Sequence, residues 1–340
     1  RPPARRGMPA AGRVAAVAGL LASLHGPAAA EYDWEEAERF WGLSAATYCG
    51  GLPGFDQNLL MSWSCGYACD KVRLVPGLVK PFGRVGAFVP NTAHGFVGKY
   101  APEADGRCVV AFRGTFSIKD VLTDIISLAP VALDGCPGCK VGRGLKETYD
   151  AVKGDIKRHL RDLGCQRVAF TGHSLGAGQA TLAMFDLRRD FRVEASYTFG
   201  QPAVGNRAFQ EAFDAAFAPR TAAPLYRVVH GTDPIPHTGP VDAAEGLYTR
   251  HPGTEVFFQS WVANGHVECQ GSGELSGCSY EFFKARTGLD VRTIWTMAGE
   301  VLRLGRVAVF NWDRHAFYLD KALVPWLNCA VLKQGAVLYP

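Results

Sequence analysis

The chain has 340 residues, of which 48% are apolar and 20% are charged. This composition is typical of a globular protein with a sizeable core, and it excludes a disordered tail, a coiled coil and a collagen-like repeat. The net charge of +4 comes from four arginines among the first 30 residues, since 32 basic and 32 acidic residues remain beyond them. The composition therefore offers no polybasic surface for nucleic acid or an anionic membrane.

The first 30 residues have the pattern of a secretory signal peptide. Arg13 precedes an apolar run over residues 14–24, and three alanines at 28–30 precede Glu31. This order predicts cleavage near Ala30, and the run is too short to span a bilayer. Residues 1–7 precede the first methionine, Met8, which leaves open a start at that methionine. We expect one secreted domain over residues 31–340 without a transmembrane helix.

Ten cysteines in a secreted chain are expected to be mostly paired, although counting does not fix their connectivity. The candidate pairs are Cys65 with Cys69, Cys136 with Cys139, Cys269 with Cys278, Cys49 with Cys329, and Cys108 with Cys165. The first three would close short loops, the fourth would tie the two ends together, and the last two cysteines adjoin strands that could be neighbours. Zinc is the alternative for the C-x-x-C at 136–139, but no second such motif or suitably spaced histidine pair accompanies it.

Short apolar runs alternate with longer amphipathic ones along the chain. After a predicted helix over 34–48, the apolar runs predict strands at 95–100, 108–112, 167–171, 196–199 and 225–230. Helical spacing predicts further helices over 145–163, 177–187 and 207–217. This alternation predicts an α/β domain with a mostly parallel sheet covered by helices on both faces.

The motif Gly172-His173-Ser174-Leu175-Gly176 follows one predicted strand and precedes a predicted helix of small residues. A serine hydroxyl is a weak nucleophile unless a base takes its proton and donors hold the oxyanion. A sharp turn from strand to helix would project Ser174 from the sheet edge, and the glycines would relieve crowding there. The flanking elements favour a nucleophile over a structural turn serine.

A second loop, Phe112-Arg113-Gly114-Thr115, also follows a predicted strand. At the carboxyl end of that strand, Thr115 is placed to offer its backbone N–H and its hydroxyl to an oxyanion, opposite the N–H of Leu175. A simple turn is the alternative for this loop on its own. Beside the serine motif, the loop indicates an oxyanion hole.

Five segments in this order resemble the class 3 lipases, the fungal triacylglycerol lipase and feruloyl esterase family of α/β-hydrolases. The segments are VAFRGT at 110–115, TGHSLG at 171–176, YTFGQPAVGN at 197–206, VVHGTDPIPH at 228–237 and HPGTE at 251–255. The resemblance spans most of residues 31–329 and implies an α/β-hydrolase fold with a lid helix.

The resemblance places the triad acid after the strand at 225–230, which is Asp233, with Asp242 as the alternative. An acid on a loop at a strand end can orient an imidazole and stabilise its charged form. A turn aspartate before Pro234 is the structural alternative for Asp233.

Five histidines follow Ser174 in the sequence: His230, His237, His251, His266 and His315. The family order of Ser, Asp and His, with the final His-x-x-Tyr/Phe element and its terminal cysteine, implies His315 as the base, and His251 is the next candidate. His237 lies in a segment that the family uses structurally, and His173 is expected to pack or orient. Residues 279–314, which include an amphipathic run at 291–304, form a longer stretch than the compact fungal members have.

Residues 117–129 carry one continuous apolar stripe at helical spacing, headed by a segment that resembles a capping box. The stripe residues that would face substrate are Ile118, Val121, Leu122, Ile125 and Ile126. In the resembled family this position, about 116–129 here, is a lid that covers the nucleophile and turns its apolar face to lipid. A helix packed permanently on the core is the alternative. Asp124 matches the family position that supports the oxyanion hydroxyl, here that of Thr115.

These residues predict a secreted serine carboxylic-ester hydrolase, an acylglycerol lipase that acts through an acyl-enzyme at a lipid–water interface. It would need no metal or cofactor and bind no nucleic acid. A feruloyl esterase is the alternative within the fold, because the C-x-x-C at 136–139 resembles that subgroup while the apolar lid face resembles a lipase. A catalytically silent binding protein of the same fold is a third possibility, which the presence of Ser174, Asp233 and His315 disfavours.

Overall fold

A computed structural model of the protein describes most of the region between residues 31 and 329. The described residues are 31–49, 57–83, 93–101, 107–115, 129–217, 223–242, 244, 246–247, 250–260, 264–270, 277–289, 312–323 and 329. The sequence-predicted signal peptide at 1–30, the lid residues up to position 128 and the amphipathic run at 291–304 lie outside them.

Nine strands of the described residues form the main sheet. They are β1 (Leu74–Phe82), β2 (Gly95–Tyr100), β3 (Cys108–Phe112), β6 (Arg167–His173), β7 (Arg192–Val193), β8 (Ser196–Phe199), β9 (Leu225–His230), β12 (Thr254–Phe258) and β13 (Val267–Gln270). Three small hairpins lie beside it: β4 (Pro130–Ala132) with β5 (Lys140–Gly142), β10 (Val241–Asp242) with β11 (Gly246–Leu247), and β14 (Phe317–Tyr318) with β15 (Lys321–Ala322).

The strand order across the main sheet is β1-β2-β3-β6-β8-β9-β12-β13, with β7 beside the start of β6. Strands β3, β6, β8, β9 and β12 run parallel, whereas β1, β2 and β13 are antiparallel additions at the two edges. The carboxyl ends of the parallel strands meet at one edge of the sheet. The loops after β3, β6, β8 and β9 therefore come together there, as an α/β fold requires of its functional site.

The helices cover both faces of this sheet. Their bounds are α1 (Trp34–Ala46), α2 (Gln57–Met61), α3 (Tyr67–Asp70), α4 (Arg143–Asp162), α5 (Leu175–Leu187), α6 (Arg207–Ala216), α7 (Ser279–Thr287) and α8 (Trp312–Ala316). Helices α4, α5 and α6 pack on one face, and α1 packs on the other. The predicted α/β class, with a mostly parallel sheet between helical layers, is confirmed.

Side chains of β3 alternate between the two layers, with Val109 and Ala111 on the α1 side and Val110 and Phe112 on the α4 side. Because successive residues of a strand point to opposite faces, a strand that is buried on both faces reads as a continuous apolar run. This is why the sequence Cys108-Val-Val-Ala-Phe112 predicted the strand at its observed bounds.

Helix α4 buries residues at helical spacing, namely Leu145, Tyr149, Val152, Ile156 and Leu160. Helices α1 and α6 begin where an N-cap side chain accepts a backbone N–H. Asp33 accepts from Glu36 (2.9 Å) and Asn206 accepts from Phe209 (3.1 Å), which satisfies donors that a helix cannot satisfy internally. None of the described helices combines the length and the apolarity needed to cross a membrane.

Five disulfides link all ten cysteines, in the pairs named from the sequence. They are Cys49–Cys329, Cys65–Cys69, Cys108–Cys165, Cys136–Cys139 and Cys269–Cys278. The first joins the chain after α1 to the segment after β15 across 280 residues.

Candidate active site

Ser174 lies at the turn between β6 and α5 in a strained backbone conformation. Its φ of 57° and ψ of −130° lie outside the regions that L-residues usually adopt, and its N–H donates to the carbonyl of Phe199 (2.9 Å). A Cβ on Gly172 would lie 2.4 Å from the carbonyl oxygen of Gly176, and a Cβ on Gly176 would lie 2.6 Å from that of Phe112. The turn is therefore so tight that only glycine fits on either side of it.

Asp233 and His315 form a buried acid–base pair. Asp233 lies in the turn after β9, and His315 lies in α8. The Nδ1 atom of His315 is 3.0 Å from Oδ1 and 2.9 Å from Oδ2 of Asp233. Because a carboxylate can only accept hydrogen bonds, Nδ1 carries a proton, and in the neutral ring Nε2 is left with a lone pair. His315 is thus oriented to act as a base through Nε2.

Asp233 remains an anion although it has no exposed surface. Burial by itself raises the pKa of this carboxyl, because it removes water from the charged form. The charge of His315 and hydrogen bonds from His315, from the Tyr318 hydroxyl and from the N–H of Ile235 (2.9 Å) act in the opposite direction. Together they hold the pKa of Asp233 below its usual range. Asp233 is therefore a carboxylate at neutral pH.

The ring of His315 lies against the ring of His173, the residue before Ser174, with 4.6 Å between their centroids. The Oγ atom of Ser174 and the Nε2 atom of His315 are both buried, and neither makes a hydrogen bond within the described part of the chain. One atom can donate a proton and the other can accept it. The hydrogen bond between a nucleophile and its base often tightens only when substrate binds, so this pairing is compatible with general-base chemistry.

The loop after β3 passes directly behind the nucleophile. A Cβ on Gly114 would lie 2.6 Å from the carbonyl oxygen of His173 and 3.1 Å from the Cβ of Ser174. The N–H of Arg113 donates to the carbonyl of His94 (2.8 Å), which fixes the start of the loop. The backbone of the loop therefore approaches the serine as closely as a glycine permits.

The two residues expected to hold an oxyanion flank this contact. Thr115 follows Gly114 and is partly buried, and Leu175 is the first residue of α5, where backbone N–H groups have no partner inside the helix. Donors in these positions could stabilise negative charge that develops on a carbonyl bound to Ser174. Asp124, the expected support for Thr115, lies outside the described residues.

The two alternative triad residues lie in other contacts. Asp242 pairs with Lys140 (2.8 Å), and its second oxygen accepts the N–H of Ala244 (2.8 Å). The Nε2 atom of His251 lies 2.8 Å from the carbonyl of Pro236, so this ring nitrogen is already used as a donor. The structure brings Asp233 and His315 together and does not bring these two residues to them.

The other histidines pack against aromatic rings. His237 contacts Tyr280 and Phe283, with centroid distances of 5.6 and 4.8 Å, and His266 contacts Tyr32 at 4.7 Å. The ring of His230 lies 6.4 Å from that of Tyr318. Within the described part of the chain, His315 is the one of these five histidines that hydrogen-bonds to Asp233.

Two residues contribute to the site that the sequence analysis did not assign. Gly200 directly follows β8 with a φ of +58°, and a Cβ there would lie 2.4 Å from the Tyr318 hydroxyl, 2.9 Å from Cε1 of His315 and 3.0 Å from Oδ2 of Asp233. Tyr318 itself donates to Asp233. The available signals were a glycine at the end of a predicted strand and the tyrosine of the His-x-x-Tyr element.

The described residues contain one group of side chains close enough to share a metal ion: Glu255, Cys269 and Cys278. These two cysteines are bonded to each other, so neither offers the thiolate that a metal site needs. The same reasoning applies to Cys136 and Cys139, because the structure joins them in a disulfide.

Comparisons with known proteins add the following similarities. Residues 109–243 match the family model described as Lipase (class 3). A lipase of Rhizopus niveus is 29% identical over 259 residues, which cover 72% of this chain and 59% of the relative. A protein of Fusarium solani named secreted mono- and diacylglycerol lipase 1 is 32% identical over 151 residues, which cover 43% of this chain and 44% of the relative. The chain thus spans about half the length of these curated relatives.

A solved lipase structure from Rhizopus microsporus var. chinensis is similar in fold. The TM-score is 0.61 at 24% sequence identity, and the match covers 88% of this chain and 94% of that one. This likeness shows that the chain adopts the α/β-hydrolase fold.

Proposed function

Because residues 109–243 match the family model described as Lipase (class 3), we propose that this chain is a class 3 lipase, a secreted serine hydrolase of carboxylic esters and specifically of acylglycerols. The observation that carries this proposal is the buried pair of Asp233 and His315, with 2.9 Å between Oδ2 and Nδ1, whose imidazole lies against His173, the residue before a serine on a strained strand-to-helix turn. A serine with only a structural role would require neither a strained backbone nor a nearby pair of aspartate and histidine.

The proposed reaction follows from the donors and acceptors of the site. The Oγ atom of Ser174 attacks the ester carbonyl while its proton passes to Nε2 of His315, and Asp233 stabilises the resulting imidazolium. The N–H of Leu175 and the N–H and hydroxyl of Thr115 hold the oxyanion. Collapse breaks the ester bond and releases the alcohol, which takes the proton from His315.

Water then completes the cycle by the same groups in reverse. His315 takes a proton from water, the hydroxide attacks the acyl-enzyme, and the carboxylic acid leaves as Ser174 regains its proton. This chemistry uses no metal or cofactor. The intact pair of Asp233 and His315 also argues against a catalytically silent binding protein.

Three observations favour a lipid substrate. Ser174 has no exposed surface and His315 is 6% exposed, which fits an active site that is covered in the absence of substrate. The sequence after Thr115 predicts an apolar-faced helix over 117–129, which we propose as a lid that opens on a lipid–water surface. The Fusarium relative is named as an enzyme of mono- and diacylglycerols, which supports acylglycerols as the substrate class.

Secretion is part of the proposal. The five disulfides of the structure are typical of an oxidising compartment, and the first 30 residues have the order of a signal peptide. The Fusarium relative carries "secreted" in its name.

The feruloyl esterase alternative is favoured by the hairpin of β4 and β5, whose turn is closed by Cys136 and Cys139. A hydrolase of soluble phenolic esters would need no interfacial lid. The two functions therefore differ in how rate depends on the physical state of the substrate.

The test is release of acid from a short-chain triglyceride titrated through its solubility limit, with the protein and with Ser174→Ala. We expect the rate of acid release to rise steeply once droplets form, and we expect no acid release from the variant. Saturation below the limit, without a rise, would retain a serine esterase and reject the interfacial lid. Absence of Ser174-dependent release from both triglyceride and feruloyl esters would reject the proposed function.

A further inference from the structure

His173 links the proposed base to a buried tyrosine on the other side of the nucleophile. Its Nε2 atom lies 2.8 Å from the backbone carbonyl of His315, and its Nδ1 atom lies 2.8 Å from the hydroxyl of Tyr48. Tyr48 belongs to the short 3₁₀ turn after α1, 125 residues before His173 in the chain. The two hydrogen bonds therefore join three segments that are distant in sequence.

The acceptor at one end fixes the proton positions along this chain of groups. A backbone carbonyl cannot donate, so Nε2 of His173 carries the proton and donates it to His315. Burial, with the charge of His315, lowers the pKa of His173 to about 3, so the ring is neutral in the working range of pH. Nδ1 is then an acceptor, and the Tyr48 hydroxyl donates to it.

The Tyr48 hydroxyl also contacts the oxyanion loop. A Cβ on Gly114 would lie 2.5 Å from the Tyr48 oxygen, so the hydroxyl packs directly against the backbone of this loop. One hydroxyl thus contacts the loop beside the proposed oxyanion hole and donates a hydrogen bond to His173. The sequence predicts that His173 packs or orients, and these contacts indicate the groups that it could orient.

We propose that Tyr48 and His173 are positioning residues that set the backbone of His315 and the oxyanion loop relative to each other across Ser174. This inference rests on the proposed function. Tyr48 acts through its contacts with the backbone of Gly114 and with His173, and His173 acts on His315 through the backbone carbonyl and the ring of that residue.

The supporting structure around His315 is short, which is why a direct anchor to its backbone matters. Helix α8 has five residues and is followed at once by the two-residue strand β14. The side-chain bond to Asp233 fixes where Nδ1 lies, and the carbonyl bond from His173 fixes where the backbone lies. With both ends held, Nε2 has one direction in which to point, which is the preorganisation that proton transfer needs.

The test compares single substitutions in the full-length protein. Tyr48→Phe removes the hydroxyl, His173→Leu removes both ring nitrogens at similar size, and His173→Gln restores an N–H donor near the Nε2 position. Turnover of p-nitrophenyl butyrate is measured per site, with sites counted by complete reaction with a p-nitrophenyl phosphonate. The matched control is Tyr100→Phe, which removes another buried hydroxyl.

We expect Tyr48→Phe and His173→Leu to lower kcat per titrated site by about tenfold with KM within about twofold, less than the roughly hundredfold loss that a displacement of about 1 Å can cause. His173→Gln is expected to recover part of the loss. The double variant Tyr48→Phe with His173→Leu should lose no more activity than the less active of the two single variants, because both residues belong to one chain of hydrogen bonds. Tyr100→Phe should retain the turnover of the unmodified protein.

Unchanged turnover per titrated site in Tyr48→Phe and His173→Leu would overturn the inference, even if their melting temperatures fall, because a packing role lowers stability only. If Tyr48→Phe and His173→Leu give no titratable sites, His173→Gln decides: a kcat per site within about threefold of the unmodified protein supports the donor role, and a loss of about tenfold or more overturns it. An inactive unmodified protein would instead reject the proposed function, which separates the two failures.

Discussion

At the residue scale, the chemistry of the site depends on an aspartate that is ionised without water. Asp233 keeps its charge because His315, Tyr318 and Ile235 direct hydrogen bonds or positive charge at it. An amide in its place would keep the size of the side chain but could present an N–H to Nδ1 of His315, which favours the tautomer with the proton on Nε2. That tautomer cannot accept the proton of Ser174.

We therefore expect Asp233→Asn to lower kcat by about 10⁴-fold, the size of the effect in the serine protease triad, with a small change in KM. The measurement is steady-state hydrolysis of p-nitrophenyl butyrate. Asp242→Asn is the matched control, because Asp242 pairs with Lys140 away from the site, and it should retain activity. Equal loss in both variants, or loss in Asp242→Asn alone, would show that Asp233 is not the triad acid.

Gly200 gives a second expectation at this scale. An alanine there would adopt a left-handed φ and would also press its Cβ on Tyr318, His315 and Asp233. We expect Gly200→Ala to lower the free energy of unfolding by about 2 kcal/mol or more and to reduce kcat of the folded protein.

The control is Gly265→Ala, whose φ of +81° is also left-handed but whose Cβ would meet nothing within 4 Å. Backbone strain alone should cost about 1 kcal/mol there, without loss of kcat. Urea unfolding and turnover of the folded fraction measure both effects. If the two variants lose equal stability and equal turnover, crowding of Tyr318, His315 and Asp233 by the alanine at position 200 is not the cause of the losses.

The sequence predicted Ser174, Asp233 and His315 because each lies in a motif with its own local pattern. The roles of Gly200 and Tyr48 could not be predicted in this way. They depend on which atoms lie within about 3 Å of them in the folded protein, and those atoms come from segments 33 to 125 residues away in the chain.

At the scale of elements, the carboxyl-terminal part of the described chain is held by α1. Lys321 of β15 lies 2.9 Å from Glu38 of α1, and Cys329 is bonded to Cys49. Leu319 and Asp320 form the turn between β14 and β15 with positive φ at both positions, the geometry of a tight two-residue hairpin turn. The segment that carries His315 thus depends on contacts with the start of the chain.

Removal of the long-range disulfide is expected to weaken this arrangement. Cys49→Ser with Cys329→Ser should lower the free energy of unfolding by about 4 to 5 kcal/mol, because a loop of 280 residues regains its freedom in the unfolded state. Turnover should fall as well, since His315 loses an anchor. Urea unfolding under non-reducing conditions measures the first effect.

Cys136→Ser with Cys139→Ser is the matched control. That disulfide spans 3 residues, so it reduces the conformational entropy of the unfolded chain only a little. We expect it to cost much less stability. A larger cost for the short disulfide than for the long one would contradict the account of how the carboxyl-terminal segment is held.

Strands that are buried on both faces were predicted from their apolar runs, and the sequence-predicted ranges 95–100, 108–112, 196–199 and 225–230 match β2, β3, β8 and β9. Strand β12 was missed because Glu255 interrupts its apolar run. That carboxylate is buried opposite Arg227 on β9, with 3.6 Å between the charged atoms. A pairing partner on a neighbouring strand makes the charge acceptable inside the sheet, and the sequence of β12 alone does not reveal the partner.

At the scale of the whole molecule, three fully buried histidines make stability depend on pH. Burial is the main cause in each case: it lowers the pKa of His173 to about 3 and of His237 to about 4, and it lowers the pKa of His251 well below its ordinary value of 6.5. The unfolded chain binds protons at these residues below pH 6.5 and the folded protein does not. Stability is therefore fully present above that pH and falls as the pH is lowered through the range to about 4.

We expect the free energy of unfolding to decrease from about pH 7 to about pH 5, with up to ~1.4 kcal/mol per histidine for each pH unit below 6.5. Urea unfolding at a series of pH values measures the slope. His237→Phe, which retains a ring against Tyr280 and Phe283, should reduce this slope by about one proton. A slope near zero would contradict neutral buried histidines.

The strand-to-helix turn, the acid–base pair and the oxyanion loop are proposed to activate one atom, the Oγ of Ser174, and the residue to which a phosphonate ester attaches tests all three together. The protein is treated with a p-nitrophenyl alkylphosphonate, and the product is identified by intact mass and peptide mapping. We expect one phosphonyl group per chain on Ser174, none on Ser174→Ala, and slow labelling of His315→Ala, because the base is required to activate the serine. Labelling of another residue, or equal labelling of the protein and Ser174→Ala, would contradict the assignment of Ser174 as the nucleophile.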